Sequence, residues 1–355
     1  MEIRKYCQSR LEPLTVCDHV AAGTRVNILR CQQFADFIRA KDVPRDREEF
    51  KIDGLGRLEA GNFYLLLVAI CHQTSPFGGV QLHGMVDGNH LRGWDYLAAR
   101  LKTFALNHRE VLTIARWAEL GSYELQSIFE DQVYGRTLSD IEGRVQLIND
   151  LGRQMIANDW SYAEDLFTAA AGTVSALEPN LLGLLRRFKA YSDPVQKKSI
   201  YFLTLMQNSG LWTYTDPENL GPPVDYHEVR GHLRLGTVEI LDPLLFQKIS
   251  HGQPVSASDD ISIRKSVFDA ILLISQFSGI SPAQLHYLFW NVFRACCTRV
   301  SPHCQKCSVS CSLPTRYVPL AMRAGGERHC PFSDVCASAN HDEKIQENII
   351  ETEFY

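Results

Sequence analysis

Seven of the eleven cysteines lie between Cys296 and Cys336, and this crowding constrains the chain more than any other feature. Eleven is an odd number for a secreted disulfide framework, and the first residues (MEIRKYCQSR) carry neither an apolar signal core nor a basic amphipathic presequence. A reducing, intracellular, cytoplasmic setting is therefore expected, and thiols at this density in such a setting read as a metal or cluster site. Cys297 and Cys304 enclose six residues, Cys304 and Cys307 two, and Cys330 and Cys336 five. A structural zinc site usually repeats a short two-residue knuckle, and only one exists here, so the spacing favours a [4Fe–4S] cluster, with zinc as the alternative. Cys297, Cys304 and Cys336 are the first ligands chosen. The remaining position goes to Cys330, with Cys307 as the alternative, and Cys296 and Cys311 are spare. Cys7, Cys17, Cys31 and Cys71 are scattered and read as small buried hydrophobes.

The rest of the sequence reads as a mainly α protein of about two or three domains, or two lobes around one core. Phe63 to His72 is an apolar helix expected to be buried on every side. Apolar spacings of three and four mark helices within Leu91–Leu120 and Leu138–Met155. Asp193-Pro194 should open a helix to about Asn208, Asp225 should cap one that Gly236 ends, and Ile261–Ile274 and Pro282–Cys297 complete the set. Residues 1–60 are read as an N-terminal extension packing on the core, 61–336 as the main helical unit, with the cysteine loop at 296–336. Residues 337–355, with five acids and one base, are expected to be a solvated tail. The longest apolar run, Phe63 to Cys71, is far short of the roughly 20 residues that span a bilayer, so no membrane partner is expected.

Three separated segments resemble one family. The stretch from His286 to Cys297, followed by Cys304 and Cys307, resembles the iron–sulfur loop of endonuclease III and the adenine-mispair glycosylases. Val224-Asp225-Tyr226-His227-Glu228-Val229-Arg230 looks like the family's V-D-x-H-x-x-R segment, and Leu66 to Thr74 resembles the helix whose end lines the lesion pocket. These are features of the helix-hairpin-helix base-excision DNA glycosylases, over about residues 60 to 336. The resemblance implies a two-lobed helical glycosylase-like fold with a C-terminal iron–sulfur loop. The glycine hairpin that gives the superfamily its name is absent before the lysine candidates, and the interval from Lys198 to Asp225 is long; both features look like the archaeal 8-oxoguanine glycosylases, which use a lysine and an aspartate.

Breaking a base–sugar bond passes through an oxocarbenium-like state, which a nearby ionised carboxylate stabilises. Asp225 is the candidate. A lysine with a lowered pKa can attack the anomeric carbon and form a Schiff base; Lys198 is the first choice and Lys197 the second, as nucleophile or phosphate contact. Gln73, His72 and His227 are candidate substrate contacts, and Trp94 a candidate stacking residue whose commoner role is packing. The formal net charge of −5 advertises no global nucleic-acid field, but Arg186–Lys198 carries a local +4 and Arg294–Arg328 a local +5. The expectation is a monomeric DNA glycosylase, with or without lyase activity, nucleoid-associated if bacterial. The alternatives are a same-fold enzyme acting on a modified nucleoside, nucleotide or RNA base, and a non-catalytic iron–sulfur nucleic-acid binder.

Overall fold

The computed structural model describes residues 23–44, 52–305, 307, 312–323, 326–341 and 344–355. Cys7, Cys17 and Cys311 lie outside them. The chain opens with β1 (Thr24–Val26) and α1 (Ile28–Arg39), followed by α2 (Arg57–Ala69), the hairpin β2 (His83–Val86) and β3 (Asn89–Arg92), α3 (Trp94–Asn107), α4 (Ile114–Glu119) and α5 (Ser122–Phe129). A short ladder, β4 (Glu130–Asp131) and β5 (Gly135–Arg136), leads to α6 (Ile141–Ala157), α7 (Ala163–Ala169), α8 (Leu181–Leu185) and α9 (Lys197–Asn208). Then come α10 (Tyr226–Leu235), β6 (Val238–Ile240), α11 (Pro243–Ser250), α12 (Ala257–Ser278), α13 (Pro282–Ala295) and α14 (Val318–Ala321). The protein is mainly helical, and its strands are short and pair only two by two among the described residues. No single described helix is long and apolar enough to cross a membrane.

Apolar side chains gather in two cores. The first surrounds α2, in which every residue from Ala60 to Ala69 is buried, and takes in faces of α3, α6 and α9. Each Leu or Phe fully buried there contributes about 2 kcal/mol of transfer free energy. That explains why a helix with apolar residues on all sides is stable: no face of it meets water. The second core joins α1, α10, α12 and α13 through Phe34, Val229, Ile263 and Phe289. The strand before α1 pairs antiparallel with β6, Val26 opposite Val238. The described part of the N-terminal extension thus supplies a strand and a helix to this second core.

Two expectations are corrected. The helix expected at Pro194 begins at Lys197, because Asp193 is engaged elsewhere. Its carboxylate accepts from the backbone N–H of Val195 (3.0 Å) and Lys197 (2.9 Å) and pairs with Arg264 at 2.8 and 2.9 Å. Gln196, in the left-handed region at φ 63°, makes the turn into α9. The acidic tail is not a solvated appendage either. Residues 344–355 run as a strap along the body: Ile349 O accepts from Val255 N (2.9 Å) and Ile345 O from Arg234 Nε (2.6 Å). Glu347, 3% exposed, pairs with Arg230 and Arg299, and the Tyr355 hydroxyl bonds Asp260. Glu347 answers a buried arginine, which net composition does not reveal. By contrast, α10 starts on Asp225 and stops at Gly236 (φ 78°), as its capping residues dictate.

Candidate active site

Where the two cores meet, a cleft of about 410 Å³ opens between α9, α10, α13 and the start of α3. Asp225 sits in its wall, 8% exposed. Its Oδ1 accepts from the backbone N–H of His227 (2.8 Å) and Glu228 (3.3 Å), which fixes the carboxylate at the positive end of α10. Glu228 completes the capping box by accepting from Asp225 N at 3.1 Å. Its other oxygen lies 2.8 Å from His286 Nδ1. Burial pushes the Glu228 carboxyl up, and the neighbouring His286 opposes that rise.

The two adjacent lysines point different ways, since successive residues on a helix diverge by about 100°. Lys197 lines the cleft, its Nζ 3.4 Å from Cys71 Sγ and 5.4 Å from the Tyr201 ring centre. Lys198, the first choice from sequence, is fully buried in the first core, donating to Ala69 O (2.6 Å) with His72 Nδ1 at 3.3 Å. The order of the two lysines is therefore reversed. His72 is corrected as well: it is 1% exposed, held between Lys198 and Asp140 (3.2 Å), and burial keeps its imidazole neutral and away from the cleft. Gln73 does not line the cleft; its N–H donates to Tyr355 O (3.1 Å) and its side chain reaches Ile350 O (3.4 Å), anchoring the strap. His227 does line it, and burial together with the Arg230 guanidinium, 2.8 Å from Nδ1, holds the ring well below its ordinary pKa.

Burial draws Lys198 from 10.5 down to about 7. Between those values the unfolded chain holds a proton that the folded chain has lost, so stability rises with pH across that window and the full penalty is present below it. Lys198→Met is expected to flatten this slope in urea melts run from pH 7 to 10. A slope unaltered by the substitution would contradict the buried position.

Sequence reasoning did not single out Tyr201, His286, Trp290 or Tyr355. Lys197 and Tyr201 are four apart on α9, and His286, Trp290 and Arg294 recur every four residues on α13, so the helical stripe was available as a signal. The Trp94 and Tyr201 rings meet edge-on at 5.0 Å in the cleft wall. The polar stretch from Gly88 to Tyr96 resolves into β3 and the start of α3, and from it Arg92, Gly93 and Trp94 reach the cleft. Neither the family models nor the curated proteins compared with this chain match it. The chemistry of the site therefore has to be argued from the side chains.

The cysteine loop closes against the C-terminal half of α10. Cys297, Cys304, Cys330 and Cys336 surround one small cavity, together with Cys296, which was set aside as spare. Arg234 donates to Cys297 Sγ (3.2 Å), Cys336 Sγ bonds Arg234 O (3.2 Å), and Phe293 and Phe332 wall the space. Cys307 does not line it; its N–H donates to Arg328 O at 2.8 Å. Among the described residues no group of three or more histidine, cysteine or carboxylate side chains is arranged to hold a single metal ion. Cys31 and Cys71 are both buried as expected, and Cys71 also lines the cleft beside Lys197.

The two basic stretches are partly engaged by the protein itself. Lys197 and Lys198 are buried, Arg294 pairs with Asp95, Arg299 with Glu347 and Arg323 with Asp334. Arg186, Arg187, Lys189, Arg316 and Arg328 remain exposed, and Lys306 lies outside the described residues. The field available to a polynucleotide backbone is smaller than the sequence count implies.

Proposed function

We propose that the chain is an N-glycosylase that cleaves the base–sugar bond of a single nucleotide carrying a modified base. The observation that carries this is the meeting of Asp225, Lys197 and an aromatic wall in one cleft. The Asp225 carboxylate faces the positive charge that develops on the sugar or activates a water, and the Lys197 amine is close enough to the same space to attack the anomeric carbon. Trp94 and Tyr201 supply faces on which a base stacks.

The start of α3 supports a phosphate on the same ligand. Gly93 caps this 14-residue helix without a side-chain bond, leaving its first backbone N–H groups without helical acceptors. Thr74, 8% exposed, turns its hydroxyl toward Gly93, and Arg92 adds a cation at the rim. A phosphate seat within the cleft itself favours this monomeric substrate over duplex DNA. The second reading, a two-lobed helix-hairpin-helix DNA glycosylase, rests on the cysteine loop and on the Lys197–Asp225 pair. On either reading a [4Fe–4S] cluster on Cys297, Cys304, Cys330 and Cys336 would brace α10 against α13 and take no part at the sugar; iron rather than zinc in purified protein tests it.

The decisive experiment is release of free base from nucleoside 5′-monophosphates with modified bases, beside the same bases in oligonucleotides. Turnover of monomers supports the first reading, and turnover of oligonucleotides alone supports the second. Borohydride is expected to trap an adduct on wild type and none on Lys197→Ala, while Lys198→Ala keeps trapping. No base release from any substrate would sink both readings.

A further inference from the structure

We infer that His286, oriented by Glu228, is the acid that protonates the departing base. The inference deepens the glycosylase reading and depends on it. Asp225 and Lys197 both act on the sugar, and neither supplies what the other half of the reaction needs. When the C–N bond breaks, its electron pair goes to the base, and an unprotonated base is a poor leaving group. A proton delivered to a ring heteroatom as the bond breaks removes that charge.

His286 is the cleft residue equipped for this. It lies on α13 in the wall shared with Tyr201 and Trp290, 4% exposed, its ring 6.4 Å from that of Tyr201. Nδ1 is 2.8 Å from Glu228 Oε1, which fixes the ring, and the residue lines the cleft. Glu228 is fully buried, and its second oxygen accepts from the backbone of Asp225. One carboxylate thus sets the positions of both the group facing the sugar and the group facing the base. The Glu228 carboxylate is the counter-charge that the ring meets when it carries the proton it gives. The other titratable groups of the cleft are Asp225, Tyr226 and His227 at α10, Lys197 and Tyr201 on α9, Arg294 on α13, Cys71, Arg92 and Tyr355, with Tyr287 beside the ring on its own helix. His227 is held neutral and so is not a competing acid.

In the step, the proton moves from His286 Nε2 to the base as the glycosidic pair departs with it. Water or the deprotonated Lys197 amine bonds to the anomeric carbon and gives up a proton to Asp225 or solvent, water then hydrolyses any lysine adduct, and solvent returns a proton to the imidazole. Atoms and charge balance without an oxidant or reductant.

The test compares two leaving groups. One is the best nucleotide found by base release. The other is 4-nitrophenyl ribofuranoside 5′-phosphate, whose nitrophenolate departs without being protonated. His286→Asn is expected to lower kcat/KM on the nucleotide by about 10²- to 10⁴-fold and to leave the nitrophenyl compound within a few-fold of wild type. Retained nitrophenyl cleavage also proves the variant folded, with Asp225 in place. Glu228→Gln keeps the capping box and removes the counter-charge. The alkaline limb of kcat/KM, where activity falls as the acid loses its proton, should therefore move to lower pH on the nucleotide only. Equal losses on both compounds, or none on the nucleotide, overturn the role of His286. Wild-type protein that cleaves neither compound overturns the glycosylase reading, and this inference with it.

Discussion

Asp225→Asn should abolish most base release, by about 10³-fold in kcat/KM, while leaving the protein nearly as stable as before. Two roles coincide at this residue, and the substitution separates them. As N-cap, Asp225 accepts from the backbone of His227 and Glu228, and asparagine caps a helix about as well as aspartate. The loss of one charge at a helix start costs less than about 1 kcal/mol. As the group facing the developing positive sugar, the carboxylate has no neutral substitute. A plain cap would show the opposite pattern, with base release unchanged. Activity on the best nucleotide, read beside a melting curve of the same preparation, decides between them.

Arg264→Met should remove about 3–5 kcal/mol of stability, the largest loss expected from a single substitution away from the cleft. Arg264 is fully buried between Asp193 and Asp260 (3.0 Å), with its guanidinium 4.7 Å from the Tyr355 ring centre. Methionine fills much of the volume, but two carboxylates are left without their cation. Because Asp193 also holds the N–H of Lys197, the start of α9 should shift and base release should fall in parallel. Adding Asp193→Asn and Asp260→Asn to Arg264→Met should restore most of the lost stability, since what costs is unpaired charge rather than missing contact. Urea denaturation of the single and triple variants measures this; a single variant within about 1 kcal/mol of wild type would mean the pair is not buried as described.

Local rules served the sequence reading well where a residue acts on its own helix. Asp225 and Gly236 bound α10, Pro282 opens α13, and the apolar stretch from Phe63 is buried throughout. They failed where a partner distant in sequence takes the residue away. Asp193 looked like an N-cap and became half of an ion pair with a residue 71 positions on. The adjacent lysines could not be ranked, because which one faces the cleft depends on where α9 begins, and that is decided by the same ion pair. The strap was misjudged because charge counts describe a segment alone, whereas Glu347 is buried against arginines of α10 and the cysteine loop. Spacing alone left Cys330 and Cys307 open, because it does not show that Cys330 N meets Cys304 O or that Cys330 lines the small cavity.

The strap links the fates of the two cores. From Ile345 to Tyr355 it touches α10 and α12 of the second core, and at its end it accepts from Gln73, at the exit of the helix on which the first core is built. Arg299, held by Glu347, also reaches Ser75 O at 3.1 Å. Neither core can open on its own without stripping these bonds from the other. The cleft between them is therefore walled by a single cooperative unit, in which looseness at one wall is felt at the opposite one.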